Sequence, residues 1–214
     1  MALVEPLPLG ASEEVEELAN FFNTTLGFPP NSVLTMQRRP EIAAAFIGLN
    51  RAVMTNAGRV TSEQKRLLAL ICSLTAGCRY CQAHTALAAE RFGATEQRLA
   101  AIWEYEQSDL FTQAEKAAFD LALAASTLPN AVNEALAARV RAHWTEDEIV
   151  EIVGVIALFG FLNRWNDSMG TALEPGATEA ARTHLGPRGW DAGKHGRQPD
   201  EGAQAEGDAP AAGR

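Results

Sequence analysis

Between Val15 and Leu173 apolar residues recur at intervals of three and four, and no stretch alternates apolar and polar as a half-buried strand does. The pattern therefore predicts helices throughout. Ser12 followed by Glu13, Glu14, Glu16 and Glu17 reads as an N-cap with an acidic first turn, and Leu18, Phe21 and Phe22 give that helix a buried side. Leu26–Ser32 reads as a loop. A second helix opens after Pro40 and turns Ile42, Phe46, Leu49 and Val53 inward, with Asn56-Ala57-Gly58 ending it. Thr61 or Ser62 caps the next, which carries Glu63 in its first turn. It runs through Leu67–Ile71 to Leu74, apolar on most sides, so it should be buried.

Gly77 breaks that helix, and good helix formers then follow as far as Gly93. A short amphipathic piece through Leu99, Ile102 and Trp103 comes next. Two capping boxes, Thr112-x-x-Glu115 and Thr145-x-x-Glu148, open two further helices. The first contains Phe119, Leu121 and Leu123. The second holds an uncharged run from Ile152 to Leu162, well short of the roughly 18 residues a membrane span needs. It reads as a core helix, and Gly154 and Gly160 make it a candidate subunit contact. From Gly186 onward Gly, Pro and charge dominate, which predicts a disordered tail over 186–214 in which Trp190 and His195 are incidental. The expectation is an all-α, single-domain bundle over residues 1–185.

Composition narrows the functional classes. A net charge of −9 argues against a nucleic-acid surface. The odd count of 3 cysteines does not make a secreted disulfide framework, and the opening residues lack a basic stretch followed by an apolar one. A cytoplasmic, reducing location follows, with no membrane association. There a paired cysteine motif is more often catalytic than structural.

The candidate chemistry lies in Gly77-Cys78-Arg79-Tyr80-Cys81-Gln82-Ala83-His84. Positions 78, 81 and 84 fall on one helical side. A helix amino terminus lowers a thiol pKa, and a nearby imidazolium lowers it further. The group reads as a reactive dithiol in preference to two small buried residues that happen to be neighbours. Zinc on Cys78, Cys81 and His84 would lack a fourth ligand, so neither metal nor cofactor is expected.

Arg66–Gly93, centred on Cys-Arg-Tyr-Cys-Gln-Ala-His, resembles the alkylhydroperoxidase D and carboxymuconolactone decarboxylase superfamily, in particular its peroxidase-related branch. Glu148–Val153 followed by Asn163-Arg164-Trp165-Asn166-Asp167 is similar to that branch's closing helix. The resemblance implies a helical homo-oligomer with a dimer or trimer unit, a hydroperoxide substrate, and a thiol or lipoyl-type electron donor. It implies that Cys81 attacks the peroxide, Cys78 resolves the product as a disulfide, and His84 assists.

Two positions depart from the superfamily pattern. Thr85 stands where its histidine usually falls, and His84 comes one earlier. Arg66 stands where a glutamate is usual. Glu63 could replace that carboxylate, Arg66 could itself stabilise a thiolate, or the two could simply pair on a solvated face. The alternatives to a peroxide reductase are a decarboxylase or lactone-processing enzyme, whose chemistry uses no cysteine pair, and a non-catalytic redox-sensing oligomer.

Overall fold

The structure, a computed structural model, describes residues 2–55 and 58–196. Among them it contains ten α-helices and no strand, so the chain is all-α. Ser12 caps α1 (Glu13–Thr25), and Thr61 caps α4 (Ser62–Ala76). Both capping boxes form, at α7 (Gln113–Ser126) and α9 (Glu146–Met169). α6 (Glu96–Ala101) continues into a 3-10 turn that buries Ile102. α8 (Glu134–His143) links α7 to α9.

The centre of the bundle is α4. It packs against α5 (Arg79–Arg91), α7 and α9, with Leu67, Leu68, Ala69, Leu70 and Cys72 fully enclosed. Two basic side chains on α4 are buried with it, because each satisfies carbonyls at the end of a neighbouring helix. Lys65 donates to the carbonyls of Val53 and Thr55 at 2.7 and 2.6 Å and pairs with Glu151. Arg66 donates to the carbonyls of Met54 and Ser62. These bonds fasten the end of α3 (Pro40–Met54) to the core.

Three expectations are corrected. Residues 31–36, read as the end of a loop and its sequel, form a short helix, α2 (Asn31–Met36), with Val33 and Met36 in the core. The buried face of α3 is rotated from the predicted one: Ala43, Phe46, Ile47 and Met54 point inward, while Ile42 and Leu49 are exposed. Asn56 and Ala57 of the predicted helix stop lie outside the described residues, although α3 does end beside them at Met54. The apolar sides of α4 are buried inside the subunit, as its pattern predicts.

The third correction concerns the tail. After α10 (Pro175–His184) the described chain continues through two 3-10 turns, Gly186–Arg188 and Gly193–His195. Trp190 and His195 are buried, not incidental. The carbonyl of His195 accepts from Leu173 N–H at 2.8 Å, and Lys194 pairs with Asp167 of α9 at 3.0 Å. The surface ion pair contributes little, so burial of the indole and imidazole rings dominates the docking. The rest of the predicted tail, 197–214, lies outside the described residues.

Trp190→Ala is therefore expected to cost about 3 kcal/mol and to lower the melting temperature of the full chain by several degrees. An unchanged thermal transition would show that this segment does not dock.

Candidate active site

Gly77 ends α4 in the left-handed conformation, φ +75°, where a side chain would be strained. The chain then turns straight into α5, whose N-cap is Cys78. Its sulfur accepts from the backbone N–H of Cys81 at 3.4 Å. Cys81 follows in the first turn, and Asn166 of α9 donates its side-chain amide to that sulfur at 3.4 Å. Both thiols are free and buried. Gln82 donates to the carbonyl of Ser73 and holds this turn against α4.

The two sulfurs differ in electrostatics. The Cys78 thiol is lowered, first because the Cys81 thiol donates a hydrogen bond to it, and further by the Cys81 N–H and by His84. Cys81 is raised, first by burial and then by its neighbour Cys78. Within the pair, negative charge is therefore favoured at the helix N-cap, on Cys78. Cys72 is apart from both, beside Ser126, and burial pushes it to about 11.

His84 lies one turn beyond Cys81, with each ring nitrogen facing an oxygen. Nδ1 is 2.9 Å from the Tyr80 carbonyl, and Nε2 is 2.9 Å from Glu174 Oε2. The facing carboxylate favours the imidazolium form. Burial opposes that charge, but the carboxylate and the carbonyl outweigh it and raise the pKa. Burial likewise disfavours the Glu174 carboxylate, yet His84 and the Asn31 N–H hold its pKa below the ordinary value. The Tyr80 ring stacks on His84 at 4.1 Å, and its hydroxyl donates to Glu174 Oε1 at 3.0 Å.

The carboxylate beside His84 is Glu174, and neither Glu63 nor Arg66 takes that place. Glu63 does not reach the dithiol: it pairs with Arg98 at 2.7 Å. Nor does Arg66 pair with Glu63. Its guanidinium lies 3.7 Å over the Phe92 ring, and burial lowers its pKa to about 10. Arg66 lines a cavity of about 80 Å3 that Cys81 and His84 also face. Phe22, Phe46, Met54, Phe159 and Leu162 supply most of the apolar wall, and Cys78 is not part of it. Thr85, at the superfamily's usual histidine position, donates to the Cys81 carbonyl at 2.7 Å.

Sequence reasoning missed Glu174, whose only local signal was its place before Pro175 at a helix start. It also set aside His195, which sits behind Cys78. Cys78 Sγ, an Asp167 oxygen and a His195 ring nitrogen lie within 4.8 Å of one another. Such donors suit a metal ion in kind, but Asp167 is already paired with the Lys194 ammonium, which opposes a cation there.

Fold and site together define an all-helical protein with a buried Cys-x-x-Cys dithiol at a helix start, facing an apolar cavity. The profile of the Carboxymuconolactone decarboxylase family matches residues 40–124. The debrominase Bmp8 superposes with a TM-score of 0.78 at 32% identity, covering 85% of this chain and 97% of Bmp8. Bmp8 has also been solved as a cysteine-to-alanine variant in complex with 2,3,4-tribromopyrrole. The chain belongs to the carboxymuconolactone decarboxylase family.

The alkylhydroperoxidase AhpD core of a peroxidase-related protein from Ralstonia eutropha JMP134 shares the fold, with a TM-score of 0.68 at 22% identity over 83% of this chain and 96% of that one. The uncharacterized protein YnjA of Escherichia coli K12 is 34% identical over 93 residues. That match spans 43% of this chain and half the length of YnjA.

The ion pair has a definite pH signature. The folded pKa of His84 lies above 6.5, so its stabilisation is complete below that pH and is lost as pH rises through the folded value. The folded pKa of Glu174 lies below 4.5, so its contribution is complete above that pH and is lost as pH falls through the folded value. Glu174→Gln should lose about 3–5 kcal/mol, most of it between these limits, because it leaves a buried group unpaired. Denaturant unfolding against pH, with an NMR titration of His84, checks this. A His84 pKa left above 6.5 in the variant would exclude Glu174 as its counter-ion.

Proposed function

We propose that this protein is a two-electron reductase that takes an oxygen atom from a small organic hydroperoxide at its Cys78–Cys81 dithiol. The observation that carries the reading is the asymmetry of the pair, with Cys81 facing the apolar cavity while Cys78 sits behind it. Cys81 becomes the nucleophile as its proton passes to Cys78, across the hydrogen bond they share. Its thiolate attacks the outer peroxide oxygen, the O–O bond breaks, and the alkoxide leaves with a proton from solvent as the alcohol. Cys78 then displaces hydroxide from the Cys81 sulfenic acid to form the disulfide and water. A thiol or lipoyl-type dithiol donor returns the disulfide to the reduced pair. This reading needs a compartment that keeps such donors reduced, as the cytoplasm does.

The fixed imidazolium of His84, at the cavity edge, favours negative charge on the attacking sulfur and on the departing oxygen. A volume of about 80 Å3 accommodates only a small group, and its apolar wall favours an alkyl chain over bare hydrogen peroxide. Decarboxylation would leave the cysteine pair without a role. A second reading is reductive dehalogenation, favoured by the similarity over 97% of the debrominase Bmp8. The same two electrons would replace a carbon–bromine bond by carbon–hydrogen and release bromide. A brominated ring would require the cavity to widen.

Val150, Val153, Ala157 and Phe161 form an outward stripe on α9, and Ile42 and Leu49 of α3 are exposed as well. Phe161 and the buried Phe46 of α3 are 6.0 Å apart across the two helices. A second copy of the chain covering the stripe would form a homo-oligomer. Light scattering should return a multiple of 23.0 kDa, and Phe161→Asp should shift the species toward the single-chain mass. A parent that already runs at the single-chain mass would overturn this.

One equivalent of tert-butyl hydroperoxide, with a sulfenic-acid trap and mass spectrometry, tests the assignment of the sulfurs. Cys78→Ser should accumulate trapped sulfenate at position 81, and Cys81→Ser should be nearly inert. The parent should prefer tert-butyl hydroperoxide to hydrogen peroxide by about 2 kcal/mol, roughly thirtyfold in kcat/KM. Bromide release from a bromopyrrole, with no peroxide consumed, would favour the second reading.

A further inference from the structure

We propose that His195 is the base that takes the proton from Cys78 when the dithiol closes to a disulfide. The inference rests on the dithiol reading above and assigns a proton route that His84 cannot supply. The Glu174 carboxylate, 2.9 Å from Nε2, favours the protonated form of His84, which has no lone pair to offer. His195 has one. Its Nδ1–H donates to the Thr171 carbonyl at 2.8 Å, which fixes the tautomer and leaves Nε2 as the unprotonated nitrogen. The residue is fully buried, and Nε2 has no hydrogen-bond partner among the described residues. Its nearest carboxylate oxygen, on Asp167, is 3.6 Å away.

A buried, bare imidazole nitrogen is costly unless something uses it. Cys78 Sγ lies within 4.8 Å of the cluster's other donor atoms, a gap that a thiol rotation or one water spans. The surroundings keep the ring neutral. Asp167 of α9 favours a charge on it, but burial and the adjacent Lys194 oppose it, and its pKa falls below the ordinary value. From α5 it meets Cys78 and Tyr80, whose ring centroid is 6.0 Å away. Behind Tyr80 stand the oppositely charged Glu174 and His84. The backbone is held on both sides of the ring, by the bond from Leu173 N–H and by the Lys194–Asp167 pair.

The division of labour balances. After attack, Cys81 carries the hydroxyl and Cys78 the shared proton. His195 accepts that proton, Cys78 sulfur bonds to Cys81 sulfur, and the S–O bond breaks. The leaving hydroxide regains the proton as water, and the imidazole returns to neutral. No electron passes through the ring.

Methyl methanethiosulfonate isolates this step without any peroxide. Cys81 takes the methylthio group and releases methanesulfinate; Cys78 then displaces methanethiol, which leaves with the proton held by His195. In His195→Gln the adduct at Cys81 should form at the parent rate, while its decay to the internal disulfide should slow roughly tenfold to a hundredfold. The parent's decay should fall off below pH 6.5 as the ring protonates, and the variant should lose that inflection. Decay at the parent rate, an equal slowing of both steps, or an adduct on Cys78 would overturn the proposal. If the variant does not fold, the parent profile decides, since a rate rising log-linearly through that range overturns it too. Failure with peroxide but success here would refute the hydroperoxide reading alone.

Discussion

One buried carboxylate organises the site. Glu174 opens α10 as its N-cap and accepts the Asn31 N–H at the start of α2 and the hydroxyl of Tyr80 on α5. Its other oxygen faces His84. Three helices from distant parts of the chain therefore meet at one group: α10 carries the carboxylate, α2 brings one partner and α5 two. Burying a charge this deeply is unfavourable unless it is paired, and here two donors bond Oε1 while His84 faces Oε2. The converse holds for His84, which can stay charged in an apolar setting only because Glu174 is fixed beside it.

That pairing constrains the chemistry. An imidazolium locked between a carbonyl and a carboxylate is a poor proton shuttle but a steady positive charge, placed where the sulfurs need one. The helix start adds its own positive end, and it acts on Cys78 first because Cys78 is the N-cap. The two influences pull the pair apart. The dipole and the hydrogen bond from Cys81 put the resting charge on Cys78, whereas the cavity and the amide of Asn166 meet Cys81. The sulfur favoured for the charge is thus not the one that faces the cavity.

What could be read from sequence was what is decided locally. Ser12, Thr61 and the two capping boxes depend on residues three apart, and all appear where the pattern puts them. The same holds for Gly77 and the Cys78–Cys81–His84 face. Period alone does not fix phase, however. Ile42 and Leu49 have helical spacing yet point outward, because α3 is set by the anchors Lys65 and Arg66 place on its last carbonyls. Glu174 reaches His84 across 90 positions and had no local mark. His195 sits among glycines and charges, a composition that normally cannot offset its ordering entropy. It is held there by contacts with α5, α9 and Leu173 that only the folded chain supplies.

These non-local contacts explain why two histidines with similar burial behave oppositely. Both donate Nδ1–H to a backbone carbonyl, so the difference lies at Nε2. For His84 the facing carboxylate is buried and 2.9 Å away, close enough to offset desolvation of the ring. For His195 the facing carboxylate is half exposed, 3.6 Å away and already neutralised by Lys194, so desolvation wins. One ring is therefore biased toward a fixed charge and the other toward an open base. A dithiol that must first hold a thiolate and then release a proton needs both, and a single imidazole could not be both at one pH.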